Sequence, residues 1–239
     1  MLQTKTNIIP PTINKTDEMT ANTNTIQINE LPCETIYEKC KKRLLYVGKC
    51  QDVLFWSLYV SHFGMNEYLR VGKHNGNEEM KIKKLVVDYL LSIGAKQISR
   101  ILQMKMTKVG CGKMAEDILT KPKTSMDLIY AYSLYFKCNI YVVDLKKKTY
   151  LQFLHEDKSV ENVILYKPPK EMQLPEYFID TQEQLYSLQD LLLNFTCLEN
   201  VSKPLKSITN YKLDQLNQIA TKLGFVEMTK KKKQEIYDA

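Results

Sequence analysis

Long apolar runs are missing from this 239-residue sequence, as are paired cysteines and abundant histidine. No stretch approaches the roughly 20 apolar residues that a bilayer-spanning helix needs, and the N-terminus shows no charged-then-apolar leader. Neither membrane insertion nor signal-directed secretion is expected. The six cysteines, Cys33, Cys40, Cys50, Cys111, Cys138 and Cys197, form no CxxC pair. Such scatter argues for free thiols in a reducing, intracellular compartment. Three histidines and dispersed thiols make no zinc set. Gly110-Cys111-Gly112-Lys113 lacks the leading glycine frame and preceding strand of a phosphate loop. The sequence therefore points to no metal and no cofactor.

What is present suits a folded chain: 44% apolar and 26% charged residues, enough for one large domain with a small appendage. The net charge of +7 is unevenly spread, because residues 203–239 hold eight lysines against Asp214, Glu227, Glu235 and Asp238. Residues 1–30, rich in Thr and Asn, read as a flexible arm that buries too little surface to offset chain entropy.

Apolar spacing predicts a first helix from Pro32 to Leu44. Asp52-Val53-Leu54-Phe55-Trp56-Ser57-Leu58-Tyr59-Val60 predicts a buried helix, capped by Asp52 and ended by Gly64. A loop is expected over Gly72–Asn77. An amphipathic helix should follow to Ile93, presenting Met80, Leu85, Val86, Tyr89, Leu90 and Ile93, with Gly94 closing it. Helix is expected again over Gln97–Met106, then a connection at Gly110 and Gly112, then helix over Ser125–Phe136. Three β-rich runs, Ile140–Val143, Tyr150–Leu154 and Val163–Tyr166, read as an antiparallel meander. The fold class is thus α+β. A helix over Thr181–Leu193 ends the main domain of 31–198, and 199–209 reads as a linker. Most of Tyr130, Tyr132, Tyr135 and Tyr141 are expected to pack their rings with hydroxyls towards solvent, with an interface as the alternative.

The C-terminal segment predicts two short helices. Leu213, Leu216, Ala220 and Leu223 share one face, Gly224 ends the first helix, and Thr229 caps a second through Lys230, Lys231, Lys232 and Lys233. Tyr211-Lys212-Leu213-Asp214-Gln215-Leu216-Asn217-Gln218-Ile219-Ala220-Thr221-Lys222-Leu223-Gly224-Phe225 and Lys233-Gln234-Glu235-Ile236 resemble the SAP motif, a DNA-binding helix-loop-helix module. That resemblance implies phosphate contacts from Lys212, Lys222 and Lys230–Lys233. Where the family has a glycine two residues before the second-helix lysine, this chain has Lys231.

The Leu-Phe-Trp helix, the Ser125–Ile140 stretch and the lysine-rich end together resemble uncharacterised proteins of nucleocytoplasmic large DNA viruses. This implies a virion-associated or DNA-associated protein, with DNA and viral structural proteins as partners. The same order is similar to ovarian-tumour-type cysteine proteases, with Cys50 and His155 as nucleophile and base. That family places its cysteine directly before the Leu-Phe pair, where this chain has Val53, and His155 is followed by Glu156 rather than an aromatic residue. A non-catalytic DNA-associated or scaffolding protein is the favoured reading. A papain-like protease or deubiquitinase, and a minor capsid protein that binds no DNA, are the alternatives.

Overall fold

The computed structural model describes residues 44–45, 51–102, 104–157, 159–168, 176–180, 187–225, 227 and 231–238. The expected arm over 1–30 and the helix expected from Pro32 lie outside these residues, except that Leu44 stands in a strand rather than a helix.

Helix α1, Val53–Phe63, begins where Asp52 accepts the Phe55 N–H at 3.1 Å and ends at Gly64, whose φ of 86° other residues adopt at a cost. It is buried almost all round, so it packs on several partners and has no solvent stripe. Helix α2, Met65–Val71, follows at once, and Gly72–His74 make a 3-10 turn. The loop expected over Gly72–Asn77 is thus largely helical, because α3 already begins at Asn75 and runs to Ile101. Gly94 interrupts α3 with φ 71° and ψ 160°, a kink where a stop was expected. The buried stripe of α3 is Ile82, Lys83, Val86, Val87 and Leu90, leaving Met80 and Leu85 exposed. Gly110 and Gly112 lie within helix α4, Lys108–Thr120, not in a connection. A 3-10 turn at Met126–Leu128 leads into α5, Ile129–Phe136, which Lys137 ends in the left-handed conformation.

One mixed sheet completes the α+β body. Its strands are β1 Leu44–Leu45, β2 Cys138–Asp144, β3 Thr149–Phe153, β4 Glu161–Lys167, β5 Phe178–Asp180 and β6 Thr196–Cys197, in the order β1-β5-β4-β2-β3-β6. The expected meander is corrected here. β3 runs antiparallel to β2 as foreseen, but β4 lies on the other side of β2 and parallel to it, from Cys138↔Glu161 to Asp144↔Lys167. Short connections fix an up-down-up alternation of β2, β3 and β4, and both arrangements satisfy that alternation. Which flank of β2 the third strand takes is settled by packing, and β6 occupies the outer side of β3.

Both faces of β2 are covered, which is why its sequence reads as a continuous apolar run. Ile140 and Val142 face the helices, while Tyr141 and Val143 face a second cluster with Tyr150, Tyr166 and Phe178. Helix α6, Leu188–Asn194, starts in a capping box of Ser187 and Asp190 and closes that second cluster with Leu191. The helix expected over Thr181–Leu193 is therefore shorter, and 181–186 lie outside the described residues. Tyr132 is fully buried and is an exception to the solvent-facing hydroxyls expected of most of these tyrosines. Burial pushes that hydroxyl well above the usual tyrosine range.

The C-terminal end carries α7, Leu213–Lys222, and α8, Lys233–Asp238, joined by contacts of Leu216, Ala220 and Ile236. Leu213 is 44% exposed and lies off that contact. Thr229 lies outside the described residues.

Candidate functional site

The start of α1 is where the protease resemblance puts a nucleophile. Val53 opens the helix, and Cys50 lies outside the described residues. The described neighbourhood is a buried ionic cluster. Asp52 Oδ2 accepts from Lys83 Nζ at 2.9 Å and from the Thr124 N–H and Oγ1 at 2.9 and 2.8 Å. Lys83 also donates to Glu79 at 2.7 Å, and Glu79 in turn accepts the Trp56 indole N–H at 3.1 Å. Burial alone pushes the Lys83 ammonium down, but hydrogen bonds and charge from Glu79 and Asp52 more than reverse this, so its pKa stands above the ordinary lysine value. The cluster ties α1, α3 and the segment before α5 together at one point. It supplies anchoring and no described nucleophile. Sequence reasoning missed Lys83 because a lysine is read as solvent-facing; the four-residue spacing from Glu79 was its single local signal.

His155 is half-buried just beyond β3. Its backbone N–H donates to Asn139 at 2.9 Å, and its Nδ1 accepts the Asp157 N–H at 3.1 Å. The Asp157 N–H occupies Nδ1 and leaves Nε2 as the ring nitrogen open to another partner. Cys197 shares a cleft of about 660 Å³ with His155, but burial pushes its thiol up, with only partial relief from Tyr150. Cys138 lies near His62 in a smaller cavity, and burial pushes its thiol to about 12. Both shifts oppose the thiolate that nucleophilic catalysis requires. His62 itself stacks on Phe136 with ring centroids 4.4 Å apart, and desolvation lowers its pKa against the opposing pull of Glu161.

The lysines singled out at the C-terminus occupy three places. Lys212 immediately precedes α7 and Lys222 is its last residue, roughly 15 Å away at the rise of an α-helix. Lys231 and Lys232 are exposed and precede α8, which begins at Lys233; Lys230 lies outside the described residues. The four lysines expected to wrap one turn of the second helix therefore do not share it. Glu235 accepts the Lys232 N–H at 3.3 Å, so a carboxylate of this chain already stands at the start of α8. The positive groups presented here are therefore side-chain ammonium groups rather than the helix end. The segment 199–209, read as a linker, is tethered at Lys206, whose N–H donates to Tyr211 Oη at 3.0 Å and whose carbonyl accepts from Tyr237 Oη at 2.9 Å. Among the described residues no helix is long and apolar enough to cross a membrane, and no group of acidic, histidine and cysteine side chains could hold a metal ion.

No protein-family model matches the chain, and no curated protein matches it by sequence.

Proposed function

We propose that this chain is a non-catalytic attachment protein of a large DNA virus, whose C-terminal helical pair holds duplex DNA through lysine–phosphate contacts. The α+β body engages structural proteins of the virion. The observation that carries this reading is the surplus of four positive charges over residues 203–239, with Lys212, Lys231 and Lys232 exposed around a small two-helix unit. Exposed ammonium groups on a small unit suit a polyanion recognised by charge rather than by sequence. The non-catalytic part is supported by Val53 at the helix start, by the Asp157 N–H that occupies His155 Nδ1, and by the burial that pushes the Cys138 and Cys197 thiols up.

A salt titration of duplex binding tests the proposal. If about three phosphates are neutralised, log affinity falls against log salt with a slope near −3. Replacing Lys230, Lys231, Lys232 and Lys233 together with Gln in the full chain flattens that slope. An unchanged slope and affinity in that variant overturns DNA attachment through this unit.

A further inference from the structure

Strand β6 covers only the first part of β3. Its register pairs Thr149 with Thr196 and Tyr150 with Cys197, and the last bond runs from the Leu198 N–H to the Tyr150 carbonyl at 2.8 Å. The chain then turns away, with the Glu199 N–H bonded to the Pro204 carbonyl at 3.0 Å. Lys148 and Tyr150 both present their carbonyls to the β6 side. By the two-residue repeat of a strand, Gln152 and Leu154 also turn their backbone groups that way. Among the described residues no strand continues beside β3 there. An edge with unpaired N–H and C=O groups is a template for an added strand.

The cleft of about 660 Å³ lies along this open edge, and Gln152 and Leu154 line it. Tyr130, packed on Phe153 with ring centroids 4.8 Å apart, lines it from the helix side, and Tyr141 from the opposite face of the sheet. Alternate side chains of an incoming strand would meet these two walls. The charged side chains that line the cleft are acidic, opposite in sign to the chain's net charge. Glu156 and Glu199 line it, and it has no lysine or arginine, although the chain carries +7 overall. Each carboxylate is met from outside by an exposed cation, Arg100 at 3.4 Å and Lys206 at 3.2 Å. Exposed pairs of this kind contribute little and are readily exchanged.

We infer that this cleft docks an extended basic segment of a partner protein, which adds to the sheet as a strand beside Gln152 and places lysine or arginine side chains against Glu156 and Glu199. Backbone bonds to Gln152 provide the general affinity, and the two carboxylates select for positive charge.

The test uses the full chain and two fluorescein-labelled peptides, Thr-Val-Lys-Val-Arg-Val-Thr and its counterpart with Glu at both charged positions. Anisotropy should show the basic peptide binding at least about tenfold more tightly, and Glu199→Gln should cut that preference roughly threefold. Gln152→Pro removes the edge N–H without touching the β2 ladder and should abolish binding. In the unaltered chain the Gln152 amide should gain protection from hydrogen exchange when the basic peptide is added. Equal affinity for the two peptides, or no binding of the basic one at about 1 mM, overturns the proposal. So does unchanged binding by Gln152→Pro. A peptide-free dimer that Gln152→Pro dissolves would assign the edge to a second copy of this chain and overturn it as well.

Discussion

The α+β body and the C-terminal helical pair keep their folds by different means. Among the described residues 29 buried ones form one cluster on the helix side of the sheet, whereas between α7 and α8 the buried ones are Leu216, Ala220 and Ile236, with Ile208, Tyr211 and Tyr237 partly buried against them. A cluster of the first size can hold a buried ionic group such as Lys83 with Asp52 and Glu79, because surrounding packing fixes the geometry that offsets desolvation. A core as small as the one between α7 and α8 cannot. The pair relies instead on hydrogen-bonded straps from Tyr211 and Tyr237 to Lys206 and on charged residues left at its surface. The body is built to specify one shape, and the pair to present charge at low cost in buried area.

The largest effect should come from breaking the ionic cluster. Lys83→Met leaves Asp52 and Glu79 without their shared cation and should destabilise the body by about 3 to 5 kcal/mol in chemical denaturation. A loss below about 1 kcal/mol would remove the cluster from the account of the body's stability. The pH dependence has a definite sign. Because the folded pKa of Lys83 is raised, its stabilisation is fully present below the ordinary lysine value near about 10.4 and is lost as pH rises through the higher folded value. The gap between the parent chain and Lys83→Met should stay constant from neutral pH to about 10 and close only above it.

Trp56→Ala tests the apolar half of the same region. Trp56 is 1% exposed, and emptying its site should cost about 3 to 5 kcal/mol, judged by the shift of the urea midpoint. Trp56→Phe retains much of the volume but loses the indole bond to Glu79, and should cost only about 1 to 2 kcal/mol. Equal losses for the two would make packing irrelevant at this position.

Leu216→Asp probes the other side of the comparison. It places a charge in the small core between α7 and α8 and should unfold the helical pair, seen as lost protection of α7 amides, at a cost of about 2 kcal/mol or more. The midpoint of the body should not move, and duplex binding should weaken although every lysine is intact. A common shift of both regions would mean that they fold as one unit.

The smallest effect is expected at the end of α5. Lys137 adopts φ 51° and ψ 55°, where a side chain is disfavoured, so Lys137→Gly should raise the melting temperature through a gain of about 0.5 to 1 kcal/mol. A lower melting temperature would show that contacts of the Lys137 side chain outweigh the backbone strain.

Much of this architecture is legible residue by residue. The Asp52 cap, the Gly64 stop, the burial of Trp56 and the β character of β2, β3 and β4 follow from short-range rules of capping, burial and periodicity. The errors share one cause. Glycines at 110 and 112 read as a break, yet helix geometry tolerates them once neighbouring contacts supply the missing stability. Lys230–Lys233 read as one helical turn, but α8 starts at Lys233.

The sequence by itself determined the α+β class, the apolar helix that begins at Val53, and the concentration of lysine towards the C-terminus. These depend on composition and on contacts within a few residues. Tertiary structure alone decided that β4 lies parallel to β2, that Lys83 is buried against Asp52 across 31 residues of chain, and that among the described residues β6 pairs with β3 only as far as Tyr150. Each of these is a choice among partners that local propensity leaves equal, and only the joint packing of distant segments distinguishes them.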